Sequence, residues 1–185
     1  MARIGPVSRE DVPADQREAF DRFVEERGSV PATGPLSVML NAPEMLVRGE
    51  HFRAYVRGDS CSLPATVREL AMLVTAREND CQYIWYAHAA AGRRAGLSDD
   101  LVNNLRDKRP LTGISAQESA VVEFGQEYFR TRRVSQAAFD AALSEFGVRG
   151  LAELTSLMGY YALLAFNINA FEMLPEGGEE ALLPV

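Results

Sequence analysis

Signals that start and stop helices recur along nearly the whole chain, and they constrain the fold more than any other feature. Gly28, Gly58, Gly96 and Gly147 each follow a stretch with helical periodicity, and Ser115-Ala-Gln-Glu118 has the pattern of a capping box. Neither period-two alternation nor a hairpin turn signal is present. The predicted helices span residues 13–27, 41–57, 62–78, 81–95, 98–107, 115–130, 135–146 and 148–173. The sequence therefore predicts an all-α fold, a bundle of about eight helices.

The length and composition of the chain predict one domain. Its 185 residues suffice to bury a core, and 47% hydrophobic with 24% charged residues is ordinary for a globular protein. We expect residues 1–174 to form this domain. The acidic, glycine-rich end, residues 175–185, is expected to be mobile or to lie on a partner subunit.

Charge and cysteine content argue against several classes of protein. The formal net charge of −7 disfavours nucleic acid or an anionic membrane as the main partner. No apolar run approaches the ~20 residues of a membrane span, and the first residues lack the apolar core of a secretory signal. Two cysteines, Cys61 and Cys81, do not make a disulfide framework, which favours a reducing compartment. We therefore expect a cytoplasmic protein that binds neither nucleic acid nor membrane.

The segment CQYIWYAH, residues 81–88, places reactive side chains on one side of a predicted helix. Because a helix turns about 100° per residue, Cys81, Ile84, Trp85 and His88 form one stripe, with sulfur and imidazole roughly 10 Å apart. We expect Asp80 to cap this helix, and the free amides of the first turn to favour a Cys81 thiolate. The stripe could bracket a small ligand. It could equally be core, because free cysteine is among the most buried residue types.

Glu69 is a further candidate for a functional side chain. It lies beside the apolar run 70–74, and carboxylates are rarely buried without a partner. Arg68 and Arg77 on the same predicted helix could neutralise it or bind an anionic substrate, although a solvated salt bridge is the ordinary fate of either. The second histidine, His51, is interpreted as structural.

One short pattern occurs twice. Glu69 lies in RELAMLV and Glu153 lies in AELTSLM, and the two share Glu-Leu-x-x-Leu. Two amphipathic helices often agree this well by chance. The pattern therefore leaves both an internal duplication and a coincidence open.

Motifs of known cofactor and metal sites are absent from the sequence. There is no P-loop, no dinucleotide-binding Gly-x-Gly-x-x-Gly, no His-Glu-x-x-His and no nucleophile elbow. A metal ion would need three or four ligands, and the spacing of Cys81 and His88 does not suit a single ion. We therefore expect neither a cofactor nor a metal.

Three motifs resemble those of the carboxymuconolactone decarboxylase family, whose superfamily includes the AhpD-type alkylhydroperoxidases. Arg68-Glu69-Leu70 matches its Arg-Glu-Leu, and Tyr83, Trp85 and His88 match its Tyr-x-Trp-x-x-His. Residues 95–98 match its Ala-Gly-Leu-Ser.

The segment LMGYYALLAFNINAFEMLP also resembles the closing helix of the longer family members. The resemblance then covers about residues 36–175. It implies an AhpD-like all-α bundle with its site among packed helices. It also implies a homo-oligomer, a dimer or trimer, that binds a small-molecule substrate.

The sequence departs from both branches of the superfamily at Ile84. The peroxidase branch uses Cys-x-x-Cys-x-x-x-His, and this chain has equivalents of the first cysteine and the histidine, Cys81 and His88, but not of the second cysteine. A dithiol cycle needs two cysteines with α-carbons within roughly 7 Å, and Cys61 has no sequence reason to be close. Decarboxylase-like members commonly have glutamate at this position, so Ile84 also makes the predicted pocket more apolar than theirs.

The resemblance implies cofactor-free decarboxylation or related proton transfer on a small carboxylate or lactone. His88 is the expected general acid or base, because imidazole titrates near neutrality, and Glu69 would orient or charge it. Cys81 would be an auxiliary proton donor or a packing group. The expected substrate contacts are Trp85, Ile84, Met72, Tyr83, Arg68 and Arg77. Two alternatives remain open: a one-cysteine peroxidase that uses Cys81 and an external thiol, and a non-catalytic assembly protein.

Overall fold

The computed structural model describes residues 2–175 and 182–184, and these residues form helices and loops without a strand. A short 3-10 helix, Ala14–Gln16, precedes the first α-helix. The eight α-helices are α1 (Arg17–Arg27), α2 (Pro35–Met39), α3 (Pro43–Arg57), α4 (Ala65–Glu78), α5 (Gln82–Ala95), α6 (Asp99–Arg106), α7 (Ala116–Thr131) and α8 (Gln136–Ala170). The all-α prediction is confirmed. The five-residue helix α2 was not predicted, because its only signal is a proline at its first position.

Serine side chains start three of the helices as their positions in the sequence indicate. Ser98 accepts a hydrogen bond from the amide of Leu101 at the start of α6, and Ser135 caps α8 in the same way. At α7 the capping box is complete, because Ser115 accepts from the amide of Glu118 and the Glu118 carboxylate accepts from the amide of Ser115.

The start of α5 differs from the prediction. Cys81, not Asp80, is the residue before the helix, and no side chain caps it. Asp80 has a left-handed backbone with φ 47°, and its carboxylate accepts a hydrogen bond from Arg77 on α4. The prediction that Asp80 caps α5 was wrong because the tight α4–α5 connection turns this side chain back toward the helix before it.

The long helix α8 has the interruption that the sequence indicates at Gly147. Its backbone there has φ 63° and ψ 178°, a conformation that is open essentially only to glycine. The two predicted helices, 135–146 and 148–173, are therefore the two arms of α8.

The core forms around α4, which packs against α5, α7 and α8. One side of α4 is completely enclosed, with Leu70, Leu73 and Val74 fully buried. Such enclosure fixes the direction of the buried side chains on α4 and on the side of α5 that faces it. The position of Glu69 relative to α5 is thus set by the packing of the core.

Helix α8 is long and apolar enough to cross a membrane by length and composition alone, yet more than half of that stretch is buried inside the fold. Leu154, Leu157 and Ile168 are core residues of this helix. Leu163 and Phe166 are exposed on its other side.

The homo-oligomer expected from the family resemblance stays a prediction.

The end of the chain lies partly outside the described residues. Of the predicted mobile or interface tail, 175–185, residues 176–181 and 185 are not described. In the short described piece, Leu183 is buried, and its backbone amide and carbonyl both form hydrogen bonds with the side chain of Gln82. This part of the tail therefore lies on the chain's own α5.

Candidate active site

Glu69 and His88 meet between α4 and α5. The Nδ1 atom of His88 lies 2.8 Å from Oε2 of Glu69. The two helices approach closely because Gly92, one turn after His88, leaves room for Leu73 and the Cβ of Glu69. A Cβ at this position would lie 2.9 Å from Leu97 Cδ1 and 3.2 Å from Leu73 Cδ1, so these side chains would have to shift. The sequence predicted that the Glu69 carboxylate, if buried, needs a partner. His88 is that partner.

The pair fixes which nitrogen of His88 is available for chemistry. An ionised carboxylate only accepts hydrogen bonds, so Nδ1 donates to Glu69. Nε2 has no hydrogen-bond partner among the described residues. His88 is 8% exposed, and the open space that it contacts is a cavity of about 360 Å³. The free nitrogen is therefore the one that a molecule in the cavity can meet.

The cavity lies among α1, α2, α3, α5 and α8, and the α1–α2 connection borders it. Pro31 and Thr33 come from this connection. Ile84 and Leu164 give apolar wall, and the ring of Tyr161 packs edge-on against the His88 imidazole with centroids 5.2 Å apart. The imidazole plane is therefore held by Glu69 on one side and by an aromatic ring on another.

Four arginines line the same cavity, and no carboxylate does so among the described residues. These are Arg27 at the end of α1, Arg53 and Arg57 on α3, and Arg94 on α5. Arg53 forms a two-point ion pair with Glu50, at 2.6 and 2.7 Å. The other three form no ion pair with a described residue. In a chain of net charge −7, this concentration of positive charge makes the cavity suited to an anion.

Cys81 lies away from this arrangement. It is 0% exposed and is not part of the cavity wall. Burial raises the pKa of its thiol to about 11, although the amides of Ile84 and Tyr83 oppose this by pointing at the sulfur. The expected stabilisation of a thiolate by the first turn exists, but burial outweighs it.

The predicted substrate contacts divide into two groups. Tyr83 and Ile84 line the cavity beside His88. Trp85 and Met72 are buried in the core and do not line it. The stripe of residues 81–88 is therefore divided. Its cysteine and tryptophan pack in the core, and its isoleucine and histidine line the cavity.

The two arginines of α4 also lie elsewhere. Arg68 donates to the carbonyl groups of Leu63 and Gly58, at 2.8 and 3.3 Å. Arg77 is buried and donates to Asp80. Neither lines the cavity, so the structure does not bring them to His88.

The four arginines that line the cavity, and Tyr160 and Tyr161, were missed from the sequence, whereas Tyr83 was predicted. Arg53 and Arg57 are four residues apart and so share a helix face, which was the one readable signal. Arg27, Tyr160 and Tyr161 come from two other helices, and nothing local links them to His88, whereas Arg94 lies six positions after His88 on α5. No group of three metal-ligating side chains occurs within residues 2–175 and 182–184.

Solved structures with the same fold were found. A peroxidase-related protein from Ralstonia eutropha JMP134 with an alkylhydroperoxidase AhpD core has a TM-score of 0.72 at 16% identity, over 97% of this chain and 94% of that one. A peroxidase-related protein from Silicibacter sp. TM1040 has a TM-score of 0.67 at 20% identity, over 94% and 92%. A cysteine-to-alanine variant of the debrominase Bmp8, in complex with 2,3,4-tribromopyrrole, has a TM-score of 0.67 at 15% identity, over 94% and 91%.

Sequence comparisons agree with the fold. Residues 43–127 match the family model of the carboxymuconolactone decarboxylase family. This range includes both Glu69 and His88. No curated protein shows significant sequence similarity to this chain. The chain thus has the AhpD-like fold, and its residues 43–127 match the carboxymuconolactone decarboxylase family.

Proposed function

We propose that this protein is a cofactor-free acid–base enzyme that decarboxylates a small carboxylate-bearing substrate or moves a proton on it. The observation that supports this most is the Glu69–His88 pair at the wall of a cavity lined by arginines. A base held in one orientation beside a site for an anion is what such chemistry requires.

In the decarboxylation, the bond between the carboxylate carbon and its neighbour breaks, and CO₂ leaves. The electron pair passes to an adjacent carbonyl group as an enolate. His88, protonated at Nε2, then gives its proton to carbon and regains one from water. Glu69 holds Nδ1 and stabilises the imidazolium form, so its role is that of a positioning and charge-balancing group.

The cavity walls have two roles: some residues desolvate the substrate carboxylate and others bind the substrate. Ile84 and Leu164 offer no hydrogen bonds to a carboxylate, and loss of water from a carboxylate favours departure of CO₂. Arg57 and Arg94 would hold a second anionic group of the substrate. The predicted arginine contacts Arg68 and Arg77 are replaced in this role by cavity residues.

The test is CO₂ release from 3-oxo dicarboxylates and unsaturated lactone carboxylates. We expect the wild-type protein to accelerate it, and His88→Gln to lower kcat/KM by about 100-fold or more. His51→Gln is the matched control, because His51 lies on α3 outside this cavity. Equal kcat/KM values for wild type and His88→Gln would refute the proposal.

A thiol-dependent peroxidase is the second candidate, since two of the similar structures belong to peroxidase-related proteins. It requires a reactive thiolate at Cys81, which is buried and has a raised pKa. Consumption of an organic hydroperoxide with added thiol, lost in Cys81→Ser, would favour this candidate over proton transfer.

A further inference from the structure

Tyr161 on α8 is a buried residue whose hydroxyl group has no hydrogen-bond partner among the described residues. The residue is 2% exposed, and its hydroxyl forms no hydrogen bond with a described residue. The only completely enclosed side-chain nitrogen or oxygen atoms without a partner in the described part of the chain are Gln16 Oε1 and Arg77 Nε. The Tyr161 hydroxyl therefore keeps contact with open space, and the open space that this residue lines is the cavity.

Buried phenol groups ordinarily find a hydrogen-bond partner, because leaving a buried donor unpaired costs about 1–3 kcal/mol. An unpaired donor on a cavity wall is explained when a ligand supplies the partner. Tyr161 is thus a donor prepared for an acceptor that enters the cavity.

The neighbours of Tyr161 indicate what kind of acceptor this is. Its ring contacts the His88 imidazole edge-on with centroids 5.2 Å apart, so one molecule in the cavity can meet both side chains. Arg57 lines the same cavity, and its positive charge favours a negatively charged oxygen there.

We propose that Tyr161 is a catalytic residue that donates a hydrogen bond to the substrate oxygen on which negative charge develops. The inference rests on the proposed acid–base function and narrows its substrate class. The substrate has a carbonyl group next to the carbon that His88 protonates, in addition to its carboxylate. Saturated carboxylic acids without that carbonyl group are not substrates.

The environment keeps this tyrosine in the form that can donate. Burial raises the pKa of Tyr161, and the nearby positive charge of Arg57 only partly opposes the shift. The phenol is therefore protonated at neutral pH. A protonated, fixed donor stabilises an enolate oxygen without reorganisation during the reaction.

Binding of a stable oxyanion tests the inference directly. The probe is 4-hydroxy-3-nitrobenzoate at a pH where its phenol is ionised, and the reference is 3-nitrobenzoate, which has the carboxylate but no oxyanion. We expect the wild-type protein to prefer the phenolate, and Tyr161→Phe to lose about 10- to 100-fold in affinity for it. Affinity for 3-nitrobenzoate should not change. Tyr128→Phe, an exposed tyrosine on α7, is the matched control.

Two further measurements separate a catalytic role from a structural one. Because the hydroxyl has no partner in the fold, Tyr161→Phe should unfold at a denaturant concentration no lower than that of the wild type. It should also lower kcat for CO₂ release by about 100-fold with KM nearly unchanged, because the bond forms in the transition state.

The inference is overturned if the wild type binds both probes equally, or if Tyr161→Phe keeps the preference for the phenolate. Failure of the proposed function is a different result, namely undiminished CO₂ release in His88→Gln. That variant should retain the phenolate preference, because binding the probe moves no proton to carbon.

Discussion

Glu69 and Glu153 lie in the same Glu-Leu-x-x-Leu pattern on α4 and α8, and the fold gives the two carboxylates opposite surroundings. Glu69 has one hydrogen-bond partner among the described residues, His88, and its side chain is 16% exposed. Glu153 is 6% exposed and accepts hydrogen bonds from four residues. One carboxylate serves a group that faces a cavity, and the other holds parts of the protein together.

The four residues around Glu153 come from three parts of the chain. The Tyr55 hydroxyl on α3 donates at 2.6 Å, and the Ser62 amide in the α3–α4 connection donates at 2.8 Å, with its hydroxyl also bonded. Arg149 on α8 donates at 3.0 Å, and the Cys61 thiol lies at 3.6 Å. Glu153 thereby ties the end of α3 and the start of α4 to α8.

The pKa of Glu153 shows how strongly these donors act. Burial alone would raise it, but the hydrogen bonds from Ser62, Tyr55 and Arg149 outweigh burial and lower it to about 2. A carboxylate with every acceptor position used has no capacity left for a substrate. The candidate catalytic pair differs from Glu153 in having free hydrogen-bonding capacity beside a cavity. Burial of a charge does not by itself distinguish the two.

Exchange of each glutamate for glutamine is the strongest test of the difference between Glu69 and Glu153. We expect Glu69→Gln to lower kcat/KM for CO₂ release by about 100-fold, because the neutral amide no longer stabilises the His88 imidazolium. Glu153→Gln should leave kcat/KM of the folded protein for this reaction unchanged. Equal losses of activity in the two variants would remove the distinction.

The free energy of unfolding should respond in the reverse order, with the larger loss in Glu153→Gln. Glu153→Gln replaces an acceptor of several hydrogen bonds by a group with one acceptor oxygen, so we expect the free energy of unfolding to fall by about 2–3 kcal/mol. Urea unfolding measures this. Glu145→Gln, also on α8, is the control, since Glu145 forms no ion pair with a described residue. A loss at Glu69→Gln as large as that at Glu153→Gln would contradict the assignment of Glu153 as the structural carboxylate.

The stability that Glu153 provides should depend on pH in a defined window. Its folded pKa of about 2 lies below the ordinary value of 4.5, so the unfolded chain binds its proton first as pH falls. The contribution is complete above about pH 5 and is lost between about pH 4.5 and pH 2. The difference in unfolding free energy between wild type and Glu153→Gln should shrink over that interval. A difference that is constant from pH 5 to pH 2.5 would show that the carboxylate charge is not its source.

Local signals in the sequence predicted most of the helices and singled out Glu69 and His88. Capping at Ser98, Ser115 and Ser135 depends on residues three positions away, and Gly147 ends a helix by its own backbone. Glu69 was singled out because an apolar run makes a lone carboxylate costly.

The remainder of the site depends on contacts that no short segment encodes. Helical spacing put Cys81 and Trp85 on the same stripe as His88, but it could not tell which residues of the stripe meet the cavity and which enter the core. Arg27 and Tyr161 reach the cavity from the first and last α-helices. Both are more than sixty positions from His88 in the sequence, so their approach to it is set by helix packing.

The central claim is that Glu69 holds His88 by Nδ1 and leaves Nε2 open toward the cavity. Nitrogen-15 NMR of the two histidine side chains measures this directly, with His51→Gln to assign the signals. We predict that the neutral His88 ring has its proton on Nδ1 in the wild type, with an unprotonated Nε2, and that Glu69→Gln shifts this balance between the two nitrogens. A neutral ring with its proton on Nε2, unaffected by the change at Glu69, would contradict the account.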